Sequence, residues 1–251
     1  MDQPEQYGEA WAEGYDRYVE ALALDTLGAV HFLKQRAKGS VLELGVGTGR
    51  LALPLATQGV EVHGIDASCK MIEVLRAKDH RKLVQVHQLD YSDFTLGEHF
   101  SLIYGPFNAL IMLPDREDQI KCLRCVAACM LPNSLLVLEV DVPDLASYTN
   151  NMKMQIVNSD SHFVEIQLTR HRRVDQRIDS YHITFGTSAQ PQLRFVAQRY
   201  VGLSELDLMA HLAGFRLVER FSDWRETPFT HQSRKHVSVF QLTQPPSAGA
   251  R

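Results

Sequence analysis

The chain has 251 residues, 45% of them hydrophobic and 22% charged, with a net charge of −4. That length supports one elaborated domain around a sizeable core. The mild acidity offers a phosphate backbone little to bind, no apolar run reaches membrane length, and MDQPEQYGEAW lacks the regions of a signal peptide. A soluble cytosolic protein with no nucleic-acid or membrane partner is expected.

Residues 6–24 read as one helix, on which Tyr7, Trp11, Tyr15 and Tyr18 share a face that would pack it onto the domain. Residues 40–50, SVLELGVGTGR, then run a short apolar strand into three alternating glycines, Gly45, Gly47 and Gly49, behind Glu43. Glycine takes positive φ and carries no Cβ, so the backbone of such a turn can approach a ligand closely. A helix over 50–58 points its first N–H groups at the same place. A second strand, 60–65, ends in Asp66, placed to accept both hydroxyls of a ribose, although Asp and Ser in IDASCKM also suit a helix N-cap. The rhythm continues with a helix around Met71, a strand over 83–88, LDYSDF, the strand FSLIYG, a helix over 119–130 and the strand LLVLEV. This alternation predicts a Rossmann-like α/β fold, a seven-stranded, mostly parallel sheet with helices on both faces. Ligands bind beyond the carboxyl ends of such strands, where Glu43, Asp66, Asp90 and Tyr104 fall.

Cys122, Cys125 and Cys129 invite a metal, but their spacing puts them on an apolar helical stripe where buried cysteine acts as a small hydrophobe. No metal is expected, and four free thiols, Cys69 included, suit a reducing compartment.

The spacing E-x-G-x-G-x-G, with acids after the second and third strands, resembles class I S-adenosylmethionine-dependent methyltransferases. The likeness is firm over 39–140 and looser elsewhere, and the layout is similar to natural-product and amino-sugar N-methyltransferases. It implies S-adenosylmethionine as cofactor, held by Tyr15, Glu43, Gly45, Gly47, Gly49, Asp66, Ala67, Met71, Asp90, Tyr91 and Tyr104, with Asp90 at the adenine amino group. YDRY, Tyr15 to Tyr18, resembles the family's Y-D-x-Y lid element, which makes Tyr15 a catalytic candidate. Tyr7, Phe107, Asn108 and Trp224 are the substrate candidates.

After Val140 the pattern changes. Residues 163–169, 178–185 and 193–201 predict an antiparallel insertion after the fifth strand, in which Ser180, His182 and Thr184 form a wet face opposite Tyr181, Ile183 and Phe185. It would roof the site or join subunits of a homo-oligomer. The basic run over 169–177 reads as a solvated hairpin end. A helix over 204–212, strands over 216–221 and 236–242 and a disordered tail complete the chain. The divisions expected are a lid (1–36), a cofactor core (37–142), the insertion (143–202), the completed core (203–243) and the tail (244–251).

In-line methyl transfer needs alignment and exclusion of water, and a hydroxyl acceptor also needs a base. The amino-sugar relatives often carry a histidine after the fourth strand, where this chain has PFNALIML with Met112 at the matching place. A small-molecule amine is therefore expected ahead of a hydroxyl. Among His162, His171, His182, His231 and His236, His231 is the first choice for a catalytic base. The alternatives are an O-methyltransferase, a non-catalytic binder of S-adenosylmethionine and, more distantly, a nicotinamide oxidoreductase.

Overall fold

The computed structural model describes residues 3–159, 163–186 and 190–243. Three helices open the chain, α1 (Gln3–Trp11), α2 (Tyr15–Ala21) and α3 (Thr26–Arg36). The continuous helix expected over 6–24 is broken at Gly14, whose φ of 125° no helix admits. The aromatic residues therefore sit on two short helices that fold toward each other. Trp11 and Tyr18 still meet, with ring centroids 4.8 Å apart.

The core continues through β1 (Val41–Leu44), α4 (Ala52–Thr57), β2 (Val62–Asp66), α5 (Cys69–Lys78), β3 (Val84–Gln88), β4 (Phe100–Gly105), α6 (Arg116–Ala128) and β5 (Met130–Asp141). It resumes after an insertion as α7 (Leu203–Leu212), β10 (Phe215–Phe221) and β11 (Lys235–Leu242). The seven strands run in the order β10-β11-β5-β4-β1-β2-β3, and β11 alone runs opposite to the others. Alternate residues of these strands bury on opposite faces. Leu42, Leu44 and Leu138 pack with Cys122, Val126 and Leu206 from α6 and α7. Val41, Leu102 and Val137 pack with Phe32, Leu55 and Leu75 from α3, α4 and α5. The cysteine stripe is thus part of the core, where burial pushes the Cys129 thiol up to about 12. Helix α4 starts two residues later than expected because Arg50 and Leu51 belong to the turn.

Between β5 and α7 lies a separate antiparallel sheet of four strands, β6 (Met152–Ser159), β7 (Phe163–Arg172), β8 (Arg177–Gly186) and β9 (Gln192–Arg199). One strand more than expected, β6 has too many polar residues to announce itself. The expected wet face is inverted. Ser180 and His182 are buried at 4% and 3% exposure, whereas Phe185 on the other side is 44% exposed. The polar side turns inward because it faces a cavity rather than an apolar core. Among the described residues no helix is long and apolar enough to cross a membrane. The expected tail and His162 lie outside the described residues.

Candidate active site

A cavity of about 390 Å³ opens beyond the carboxyl ends of β1, β2 and β4, roofed by the inward face of the second sheet and closed on one side by α1 and α2. Its floor is the glycine turn. Gly45, Gly47 and Gly49 have φ of 68°, 53° and 85°, the left-handed region that side chains resist. A Cβ on Gly47 would meet no protein atom nearer than 3.9 Å, so the space above it is left clear, whereas a Cβ on Gly49 would strike Leu53 at 2.9 Å. Gly45 and Gly47 line the cavity; Gly49 serves the turn and its packing.

Asp66, at the end of β2, accepts hydrogen bonds from the Gly47 and Ser68 backbone amides at 2.8 and 2.9 Å. Burial raises its pKa against those two bonds. Ser68, not Asp66, caps α5, accepting from the Met71 amide. Glu43 is buried beneath the turn and accepts from the Tyr104 hydroxyl at 2.9 Å. Burial pushes the Glu43 carboxyl up to about 8, although the Tyr104 hydrogen bond and the Arg50 charge oppose it.

Helix α2 is tied to this turn, since the Thr48 hydroxyl donates to Asp16 at 2.5 Å and Lys78 donates to its other oxygen at 2.8 Å. Tyr15 lies about 4 Å from the position of a Gly47 Cβ. Burial holds its phenol at about 12, so it is an un-ionised hydroxyl at neutral pH. Tyr7 hydrogen-bonds Tyr15 and stacks on Trp11 at 5.8 Å. The Trp11 indole N–H is buried with no hydrogen-bond partner among the described residues.

On the far wall Phe107 and Asn108 hold positive φ of 45° and 68°, a strained pair of the kind that collects at functional sites. Two acids at the end of β5 hold them there. Glu139 accepts from the Phe107 amide, and Asp141 accepts from the Asn108 side chain, both at 2.8 Å. Sequence reading missed both acids, although E-V-D at the end of the fifth strand stands where its own rule puts a ligand.

Of the sixteen residues put forward from sequence as the catalytic, cofactor and substrate residues, Tyr7, Tyr15, Glu43, Gly45, Gly47, Asp66, Ala67, Met71, Tyr91, Phe107 and Asn108 line this one cavity. The others do not. Tyr104 is fully buried below it and reaches it only through Glu43. The Asp90 carboxylate turns outward to accept from the Ser92 amide at 2.8 Å, leaving Tyr91 at the wall. Trp224 is a core residue, its ring 5.4 Å from Phe32 and its N–H given to Glu139. His231 stands exposed in the turn closed by Thr230 and Ser233 and lines no part of the cavity. His171 is bonded to Tyr200, and burial pulls His236 down to about 4. The histidine in the wall is His182. His63, His87 and Glu98 come together elsewhere, and none of the three lines the cavity.

A strand-order-reversing sheet with a glycine turn at the cavity floor, an acid at the end of β2 and two helices beside both has the layout of a nucleoside-cofactor enzyme of the Rossmann type. Residues 41–133 match the methyltransferase domain family. The CcbJ methyltransferase from Streptomyces caelestis superposes with a TM-score of 0.91 at 32% identity, covering 97% of this chain and all of that one. The cypemycin N-terminal methyltransferase of a Streptomyces species is 25% identical over 96% of this chain and 99% of its own. The dTDP-3-amino-3,6-dideoxy-alpha-D-glucopyranose N,N-dimethyltransferase of Streptomyces fradiae is 29% identical over 51% of this chain and 48% of its own. The chain belongs to the S-adenosylmethionine-dependent methyltransferases.

Proposed function

We propose that this enzyme methylates an amine on a small molecule or a short peptide. The observation that carries the reading is the charge of the cavity. Its lining carboxylates are Asp66 and Asp141, with Glu43 mostly protonated at neutral pH because burial holds it at about 8, against one permanent cation, Arg50. Such a wall attracts an ammonium ion and gains nothing from a neutral hydroxyl. The relatives named as N-methyltransferases point the same way. The lack of a histidine after β4 does not carry the reading, because His182 supplies the cavity with one from the roof.

When bound, S-adenosylmethionine supplies a methyl group already activated on a sulfonium. The chain's part is to bind, align and exclude water. Gly45 and Gly47 would give the donor backbone to lie against, Asp66 would accept the ribose hydroxyls, and Glu43 would face its positive groups. Ala67, Met71 and Tyr91 would bound the nucleoside. Tyr15 would close over the methyl group, with Tyr7, Phe107 and Asn108 toward the acceptor. Two arginines of the basic run at the end of the hairpin pair with acids, Arg172 with Asp175 and Arg177 with Asp179, which reduces the charge offered to a nucleic-acid acceptor. Incubation with panels of matched amines and alcohols, following release of S-adenosylhomocysteine, tests the reading. Turnover of alcohols alone would overturn it.

A second copy of the chain is the proposed partner of the insertion. Two apolar rows cross all four of its strands on the outward side, Met154-Leu168-Tyr181-Phe195 and Ile156-Ile166-Ile183-Leu193. Met154, Ile156 and Leu193 are 72%, 68% and 64% exposed, and a contiguous apolar face of this kind marks an interaction surface. Light scattering should find a dimer or larger assembly that Ile183→Glu breaks. A monomeric wild type would remove the proposal. The free cysteines fit the cytoplasm as its compartment.

A further inference from the structure

We propose that His182, oriented by Glu165, takes the proton from the substrate ammonium before methyl transfer; the inference deepens the amine reading and rests on it. A protonated amine has no lone pair and cannot attack a methyl group, so an enzyme that recruits its acceptor as a cation must also remove a proton.

The roof holds the parts of a base in register. His182 on β8 stands directly across from Gln167 on β7, with Glu165 one diagonal step away. Its Nδ1 is 2.9 Å from the Glu165 carboxylate, and both side chains are almost fully buried. A carboxylate only accepts, so Nδ1 carries the hydrogen and Nε2 keeps its lone pair. Gln167 donates to that lone pair at 3.2 Å and is itself fixed by Gln155 at 2.8 Å. Gln155, Gln167 and His182 all line the cavity that holds the glycine turn. A substrate ammonium donates more strongly than a neutral amide and would displace Gln167 from Nε2.

Among the described residues His182 is the histidine that lines the cavity, which also holds the carboxyls of Glu43, Asp66 and Asp141. Trp11 lies edge-on to His182 at 4.9 Å and Tyr18 at 6.1 Å. The Tyr18 phenol is held at about 12 by burial and then by the Glu165 charge, so it does not compete for the proton. Arg194, directly opposite on β9, turns its guanidinium to the Ala10 carbonyl, Gln192 and the Trp11 ring. In the step, an N–H bond of the ammonium breaks and its proton passes to Nε2, leaving an imidazolium beside the Glu165 carboxylate. The freed lone pair forms the N–CH3 bond as the C–S bond of the donor breaks and its electrons pass to sulfur. The imidazolium returns its proton to water after product leaves. His182 is thus a catalytic residue and Glu165 a positioning one.

The test uses the full-length enzyme and a short peptide with a free α-amino group, or whichever amine the acceptor panel shows it turns over. For wild type, kcat/KM should follow a bell-shaped pH profile, rising as the enzyme's base is freed and falling as the substrate ammonium in solution is deprotonated. His182→Asn should be slower by roughly 10²-fold at neutral pH, the scale of a general base. It should recover tenfold per pH unit up to the pKa of the amine, with Tm and S-adenosylhomocysteine affinity unchanged. Glu165→Gln removes the charge that favours the imidazolium and should move the acid limb to lower pH. Independently of turnover, in protein labelled with 13C at histidine Cε1 and bound to S-adenosylhomocysteine, the amine should drive one resonance to its imidazolium position. That change should be absent in Glu165→Gln. Amine methylation with parallel pH profiles in all three proteins overturns the inference alone. A wild type that methylates alcohols and no amine overturns the reading beneath it as well.

Discussion

The Thr48 hydroxyl, inside the glycine turn, donates to Asp16 of α2 at 2.5 Å, so the element that would hold the cofactor and the one proposed to cover it are joined directly. Lys78 from α5 reaches the same carboxylate. Partial burial pushes the Asp16 carboxyl up, but the hydrogen bonds from Lys78 and Thr48 outweigh it and hold the group below its ordinary value. The lid contact is therefore present at neutral pH and lost as pH falls through that lowered value. Asp16→Asn should weaken cofactor affinity about 3- to 10-fold, the discounted worth of a half-exposed charged pair, with little change in Tm. Calorimetry with S-adenosylhomocysteine measures it, and wild-type affinity would uncouple lid from turn.

Cofactor binding should depend most on the floor of the cavity. Asp66→Ala is expected to cost about 1–3 kcal/mol of affinity, the range for a buried acceptor of hydroxyl bonds. Gly47→Val should cost more, because a branched side chain cannot hold φ of 53° and would fill the cleared space. The same calorimetry on folded variants decides both.

Glu43 ties binding to pH. Held at about 8 by burial, it is mostly protonated at neutral pH in the free protein. A bound cation favours its carboxylate form, so binding should expel up to one proton and tighten as pH rises toward 8. Stability of the free fold has the opposite sign: a carboxyl raised above its ordinary value stabilises at low pH and loses that contribution as pH climbs to about 8. Calorimetry in buffers of differing ionisation heat measures the proton. Glu43→Gln should abolish its release and flatten the stability slope. Equal proton release from wild type and Glu43→Gln would point to another group.

Tyr15→Phe should keep the fold and most cofactor affinity while slowing single turnover, since only the hydroxyl is removed. His231→Ala should leave the turnover rate within about twofold, because its side chain is exposed and outside the cavity. A large loss from His231→Ala would mean that its loop folds inward during the reaction.

The glycine turn, Asp66 and the alternating strands were legible because each is written in a local signal, backbone freedom or a single acid at a strand end. Eleven of the sixteen site residues put forward from sequence meet in one cavity on that basis. What was not legible depended on pairing between distant strands. His182 gains its meaning from Glu165, 17 positions away, and from which face of β8 turns inward. The alternation Ser180, His182, Thr184 was visible, but alternation does not say whether the polar side meets solvent or a cavity. His231 and Trp224 went the other way. Both sit in the loop between β10 and β11, and the contacts of that loop with α3 and β5 hold them away from the cavity.

The most direct measurement of the central claim is the destination of the methyl group. With S-adenosylmethionine carrying a 13C-labelled methyl and an acceptor that offers both an amino and a hydroxyl group, NMR of the product identifies the atom that receives the label. The label is expected on nitrogen, with one equivalent of S-adenosylhomocysteine formed for each methyl transferred. A product labelled on oxygen, or cofactor bound without any transfer across acceptor panels, would contradict the account.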